Sequence, residues 1–115
     1  MKYTLFLYSD EVAFAAMPRE QMRQAQAAYM AYTAALQASG VFVTTDWLQP
    51  TGTGTTLTLR DGQRRVQDGP YAATKEQLGG YYVIDVPNLD VALHWAEQCP
   101  AAQYGIIEIR PSGMG

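Results

Sequence analysis

GYYVIDVPNLDVALHWAEQCP, residues 80–100, is the stretch whose reading decides the fold. Its opening alternates with period two, placing Tyr82, Ile84 and Val86 on one side and Tyr81, Val83 and Asp85 on the other, the pattern of a strand over Gly80 to Val86. Pro87 has no N–H to extend a ladder, and Asn88 behind it is a suitable helix N-cap. From there Leu89, Ala92, Leu93, Ala96 and Cys99 recur at helical spacing, which predicts a helix to about Cys99 with that stripe buried and Pro100 as its stop. A strand running straight into an amphipathic helix implies a sheet with a helical layer on one face.

The same unit recurs at the other end of the chain. Lys2 to Tyr8 predicts a strand with Tyr3, Leu5 and Leu7 on one face and Thr4, Phe6 and Tyr8 on the other, apolar enough to need cover on both sides. Ser9 to Ala16 reads as a polar and small connection. Pro18 suits the first turn of a helix, Met22, Ala25, Tyr29, Tyr32 and Leu36 draw its apolar stripe, and Gly40 supplies a left-handed stop. Val41 to Leu48 reads as a strand closed by Pro50. Asp61-Gly62, between Thr55 to Arg60 and Gln63 to Gln67, is the signature of a two-residue type I′ hairpin, with Leu57 opposite Val66 and Leu59 opposite Arg64. Asp68 to Gly79 reads as an ordered loop. Tyr104 to Arg110 predicts the last strand, with Ile107 and Ile109 facing one way and Ile106, Glu108 and Arg110 the other.

This order is α+β: a ferredoxin-like split βαβ pair with an inserted β-hairpin, one domain over residues 1–115. Both helices then cover one sheet face. The opposite face carries Phe6, Tyr8, Tyr81, Val83 and Ile106, too much apolar surface for water, and a second copy is its simplest cover. The expectation is a homodimer forming a dimeric α/β barrel.

Composition narrows the function classes. A net charge of −3, from 8 basic and 11 acidic residues, leaves no electrostatic footprint for nucleic acid, and no apolar run approaches a membrane span of about 20 residues. No secretory leader is evident, and the single Cys99 fits a reducing compartment, so a cytoplasmic protein is expected. One His and one Cys without ligand spacing give no metal site, Thr51 to Thr55 lacks the Lys and helix of a phosphate loop, and no cofactor is expected.

Asp68-Gly69-Pro70-Tyr71-Ala72-Ala73-Thr74-Lys75-Glu76, continuing through Gly80 to Val86, resembles the signature of the DGPF family within the YCII-related proteins. The resemblance extends from Leu7-Tyr8 to Leu89, Ala92, Leu93, Trp95, Cys99-Pro100-Ala101-Ala102 and Glu108-Ile109-Arg110-Pro111, nearly the whole chain. It implies a bacterial, ferredoxin-like dimeric α/β barrel with no settled activity, and a regulatory association with a sigma factor of the extracytoplasmic-function type. Two positions depart from Asp-Gly-Pro-Phe-x-Glu-x-Lys-Glu: Tyr71 stands for the Phe and Ala73 for the first Glu. The His–Asp pair that the wider family implies has no counterpart, because the only histidine, His94, lies in the second helix.

Each candidate residue has two readings. Asp68 either braces the Gly69-Pro70 turn by accepting backbone N–H bonds or stands at a barrel mouth as an acid, base or polar anchor, and Tyr8 and Tyr71 are counted with Gly69 and Pro70 among the candidate pocket or motif residues. Lys75 and Glu76 either form a solvated pair or, with the loop folded over the cavity, position an anionic substrate and shuttle a proton, respectively. Gly80, with Gly79, marks close backbone approach by a neighbouring strand or a ligand. Asp85 and Glu108 share the non-helical face with Arg110, either as carboxylates around a polar ligand or as one side of an Arg110 salt bridge. His94 and Asp90 read as an exposed i,i+4 pair, and Cys99 as a small core residue. Two functions follow: a small-ligand-binding or regulatory dimer, or a cofactor-free enzyme of isomerase, lyase or oxygenase type using the barrel cavity.

Overall fold

The computed structural model describes residues 1–114. Strand β1 (Lys2–Ser9) leads through a short helix α1 (Glu11–Ala15) into the long helix α2 (Arg19–Ala38) and strand β2 (Phe42–Trp47). A single 3₁₀ turn at Thr51–Thr53 precedes β3 (Thr55–Arg60) and β4 (Gln63–Asp68). Then come β5 (Gln77–Asp85), α3 (Leu89–Gln98), α4 (Ala101–Tyr104) and β6 (Ile106–Pro111).

Four strands form one antiparallel sheet in the order β2-β5-β1-β6. β1 therefore runs parallel to β2 with β5 between them, and β5 parallel to β6 with β1 between them, which is the split βαβ arrangement. The helices lie on one face. Tyr3, Leu5, Leu7, Tyr82, Ile84 and Val86 meet Tyr29, Tyr32 and Leu36 of α2 and Ala92, Ala96 and Cys99 of α3 in a single buried cluster. The polar tips of the buried tyrosines are satisfied across elements: Tyr32 Oη donates to the Trp95 carbonyl at 2.8 Å, and the Tyr82 and Thr33 hydroxyls share a hydrogen bond of 2.8 Å. The shortest molecular extent is 19 Å, enough for one sheet and one helical layer, so among the described residues no element covers the other sheet face.

β3 and β4 form a separate two-stranded sheet, turned at Asp61 (φ 51°) and Gly62 (φ 75°), with Leu57 opposite Val66 and Leu59 opposite Arg64. It leaves the body as an arm at the end of the sheet where β2 stops and β5 starts.

Three local readings are corrected. Ser9 to Ala16 is not mere connection: the Asp10 carboxylate caps Val12 N–H and Ala13 N–H and starts α1, a helix too short to display an i, i+4 repeat. Tyr104 ends α4 instead of opening the last strand, because Pro100, which stops α3, already holds helical angles (φ −52°, ψ −35°) and starts a new turn. Leu89 and Leu93 lie half in water, each 49% exposed, and Val91 and Trp95 replace them against the core. The small Ala92, Ala96 and Cys99 let α3 approach the sheet along their own line, which turns both leucines outward.

Candidate functional site

Where α1 and the first half of α2 cross the end of the sheet, the helical layer does not close, and a cavity of about 400 Å³ opens. Its floor is sheet: Leu7 and Tyr8 from β1, Gly79 and Gly80 from β5, Trp47 from β2. Phe14 of α1 and Met22, Ala25 and Tyr29 of α2 make one wall, Leu48 and Pro50 another, and Ala101 and Tyr104 of α4 the far end. The Trp47 ring meets Tyr29 edge to face, with centroids 5.5 Å apart and planes at 71°. The lining is mostly apolar with a few convergent polar atoms, the usual make-up of a small-molecule site.

Gly80 makes this floor possible. A Cβ there would stand 2.8 Å from the Asp46 carbonyl oxygen and 3.5 Å from Trp47 Cδ1, so the close approach is by the neighbouring strand β2 and the ring it carries into the cavity. The rim is strapped by Glu11, whose carboxylate accepts from Thr51 N–H at 2.6 Å and from the Thr51 hydroxyl at 2.9 Å. Glu11 N–H in turn donates to Gln77 Oε1 at 2.9 Å, so three distant segments meet at one residue. At the inner wall the Tyr29 and Tyr104 hydroxyls hydrogen-bond to each other. Burial raises both phenol pKa values, and the neighbouring hydroxyl adds to the rise at Tyr29. Both phenols therefore stay protonated around neutral pH and act as hydrogen-bond donors and acceptors, not as bases.

Of the residues singled out in the sequence, Tyr8 and Gly80 line this cavity. Asp68 is the exposed last residue of β4, and among the described residues nothing donates to its carboxylate. The turn after it is braced by backbone instead: Gly69 (φ 96°) donates to the Gly54 carbonyl at 2.7 Å and accepts from the Thr56 hydroxyl at 2.9 Å. Pro70, Tyr71 and Lys75 are exposed and Glu76 half-buried, with no ion pair between Lys75 and Glu76.

Asp85 and Glu108 share the outer face but do not come together. Asp85 faces Lys2 and Glu108 faces Phe6, so their levels differ by four residues of β1, about 13 Å at strand spacing. Asp85 instead pairs with the terminal amine of Met1 at 2.9 Å, and that hydrogen bond lowers its pKa below the usual carboxylate value. Glu108 accepts a long bond of 3.5 Å from the Tyr8 hydroxyl, and among the described residues Arg110 makes no salt bridge. His94 is likewise repartnered: its Nδ1 lies 3.8 Å from Glu97 and its Nε2 2.9 Å from Gln98, while Asp90 stays in the first turn of α3, where a carboxylate is favoured by the helix N-terminus.

The residues missed from sequence are Glu11, Phe14, Trp47 and Tyr104. Asp10 ahead of Glu11-Val12-Ala13-Phe14 carried the cap signal for the first two, but nothing local shows that Trp47 and Tyr104 meet across Tyr29.

Fold and cavity together define the class: an α+β protein with a preformed, largely apolar pocket at one end of an antiparallel sheet. The chain belongs to the YCII-related domain family, whose match covers residues 1–112. It is 37% identical to the uncharacterized protein R00369 of Rhizobium meliloti (strain 1021), with 99% of this chain and 94% of that one covered. Among solved structures it is similar to 5-chloro-2-hydroxyhydroquinone dehydrochlorinase (TftG) from Burkholderia phenoliruptrix AC1100 in complex with 2,5-dihydroxybenzoquinone. That likeness has a TM-score of 0.57 at 17% identity over 100% of this chain and 96% of the other, a likeness of fold.

Proposed function

We propose that the protein is a homodimeric small-ligand-binding protein whose ligand is a neutral, ring-sized molecule carrying hydroxyl or oxo groups. The observation that carries this reading is the apolar cavity of about 400 Å³ with two protonated phenols, Tyr29 and Tyr104, at its inner wall. Such a wall favours an uncharged oxygen over a carboxylate or phosphate, because no cation lines the cavity to offset the loss of hydration. The uncovered outer face, with Phe6, Tyr8, Tyr81 and Val83, supports the homodimer and the dimeric barrel. The DGPF-like stretch from Asp68 to Glu76 supports a regulatory setting in the cytoplasm beside a sigma factor of the extracytoplasmic-function type.

The second reading is a cofactor-free enzyme of isomerase, lyase or oxygenase type acting on a hydroxylated ring. The dehydrochlorinase of similar fold, solved with a dihydroxybenzoquinone, favours it. Against it, both Glu11 oxygens already accept hydrogen bonds from Thr51 and the two phenols keep their protons, so among the described residues the one carboxylate lining the cavity is engaged in holding the rim.

Trp47 fluorescence tests the reading, using the uncharged tetramethyl-1,4-benzoquinone as probe and the Trp95→Phe variant to silence the other indole. Saturable quenching is expected, abolished by Ala25→Phe, which fills the cavity without adding an indole. Unsaturable quenching, or quenching unchanged by Ala25→Phe, overturns this site. Release of chloride from 5-chloro-2-hydroxyhydroquinone, which loses HCl to give a hydroxyquinone without an external oxidant, favours the enzyme.

A further inference from the structure

We propose that the Tyr29–Tyr104 pair selects the ligand by its oxygen: the inner wall of the cavity receives a ring ketone or quinone, and Tyr104 donates its one uncommitted proton to the carbonyl. The inference rests on the small-ligand site proposed above. It narrows the occupant from hydroxyl or oxo compounds to those whose innermost oxygen carries no proton.

The reason is a count of protons. Each phenol carries one O–H, and among the described residues each of these hydroxyls has only the other as its partner. Their shared hydrogen bond uses one proton and leaves one over. Tyr29 is 9% exposed and Tyr104 46%, so the deeper proton is the committed one and the shallower is spare. The electrostatics agree. Burial raises both pKa values, and beyond that the shared bond pushes Tyr29 further up and pulls Tyr104 down, as it does when Tyr29 donates and Tyr104 accepts.

A ligand that covers Tyr104 takes water away from this spare proton, so the ligand's oxygen has to accept it. A carbonyl does so and brings no proton. A hydroxyl brings one of its own, and the side-chain acceptors that line the cavity stand elsewhere. Glu11 gives both carboxylate oxygens to Thr51 at the rim. Ser9 lies at the same rim, opposite Gln77 in the sheet, and Gln26 is exposed one helical turn before Tyr29. The Tyr8 hydroxyl turns to Glu108 instead. Among the side chains of the inner wall only the two phenol oxygens are left, already joined to each other. Hydroxyls on the ligand therefore belong at the rim, and the oxygen at the wall is bare.

The test is calorimetric titration of the full chain with acetophenone, 1-phenylethanol and ethylbenzene, which share one skeleton and differ in the oxygen. Wild type is expected to bind the ketone about five-fold or more tighter than the alcohol, whose proton is buried without a partner. In Tyr29→Phe the Tyr104 proton survives, and so does that preference. Y29F/Y104F leaves the wall no phenol donor: acetophenone is expected to weaken about ten-fold or more, with ethylbenzene held within about two-fold as the check that the cavity is intact. Equal or tighter binding of the alcohol by wild type overturns the selection and leaves the cavity standing; this comparison needs no variant. Acetophenone weakened no more than ethylbenzene in Y29F/Y104F overturns it too. Loss of the preference in Tyr29→Phe alone overturns the assignment of the spare proton to Tyr104. If none of the three binds wild type saturably, the small-ligand site falls and this inference with it.

Discussion

Tyr29, Tyr32, Tyr82, Tyr104 and Cys99 bring five ionisable protons into or beside one core, and burial raises the pKa of each. For Cys99 the thiol is pushed from 9.0 up to about 11, chiefly by desolvation. A group raised in the folded state favours folding fully below its unfolded value, and this contribution is lost as pH climbs through the folded one. Urea unfolding is therefore expected to give a stability that is flat near neutral pH, falls above about 9, and falls more steeply once unfolded tyrosines ionise near 10.0. Native Cys99 is expected to resist alkylation at neutral pH and to react only on unfolding; fast native labelling would contradict the burial. Gly105 makes a separate point. A Cβ there would overlap the Tyr8 carbonyl oxygen, a backbone atom with nowhere to retreat, so Gly105→Ala is expected to cost about 1–3 kcal/mol in equilibrium unfolding.

Among the elements, α1 contributes a pocket wall for very little sequence. It has no buried residue, and its start depends on the Asp10 carboxylate. Asp10→Ala is expected to cost about 1 kcal/mol locally, read as faster hydrogen exchange at Val12 and Ala13 and weaker probe binding at Trp47, with the thermal midpoint nearly unchanged. Unchanged exchange would show that Glu11 alone holds α1 through Thr51 and Gln77. The element scale also shows what was legible. Pro87 and Asn88 set the break between β5 and α3 correctly because both act through their own backbone neighbours. The phase of α3 was not legible: Leu89, Ala92 and Leu93 fit a helical stripe, but which edge of it faces the sheet depends on the size of Ala92 and Ala96 against Ile84 and Val86.

The whole molecule is a thin, open plate, 47 × 40 × 19 Å, and among the described residues no other element covers the apolar side chains of its outer sheet face. Among the described residues no helix is long and apolar enough to cross a membrane. Val83→Glu places a charge in the middle of the outer face, between Thr4 and Thr44, and is expected to convert the proposed dimer to a folded monomer by sedimentation. A dimer unaffected by it would move the interface off the sheet.

By itself the sequence determined the strands over Lys2 to Tyr8 and Gly80 to Asp85, the long helix, the faces of the strands and the α+β layering, because side-chain periodicity and caps act over a few residues; the start of β5 at Gln77, inside the stretch read as a loop, comes from its pairing with Ser9 and Tyr8. Only the tertiary structure decided the pocket. Glu11 meets Thr51 and Gln77, and Tyr29 meets Trp47 and Tyr104, across separations of tens of residues that no local pattern encodes. It also parted Asp85 from Glu108: alternation fixes which face a carboxylate takes, but its level along the strand is set by register with β1, and register is a property of the assembled sheet.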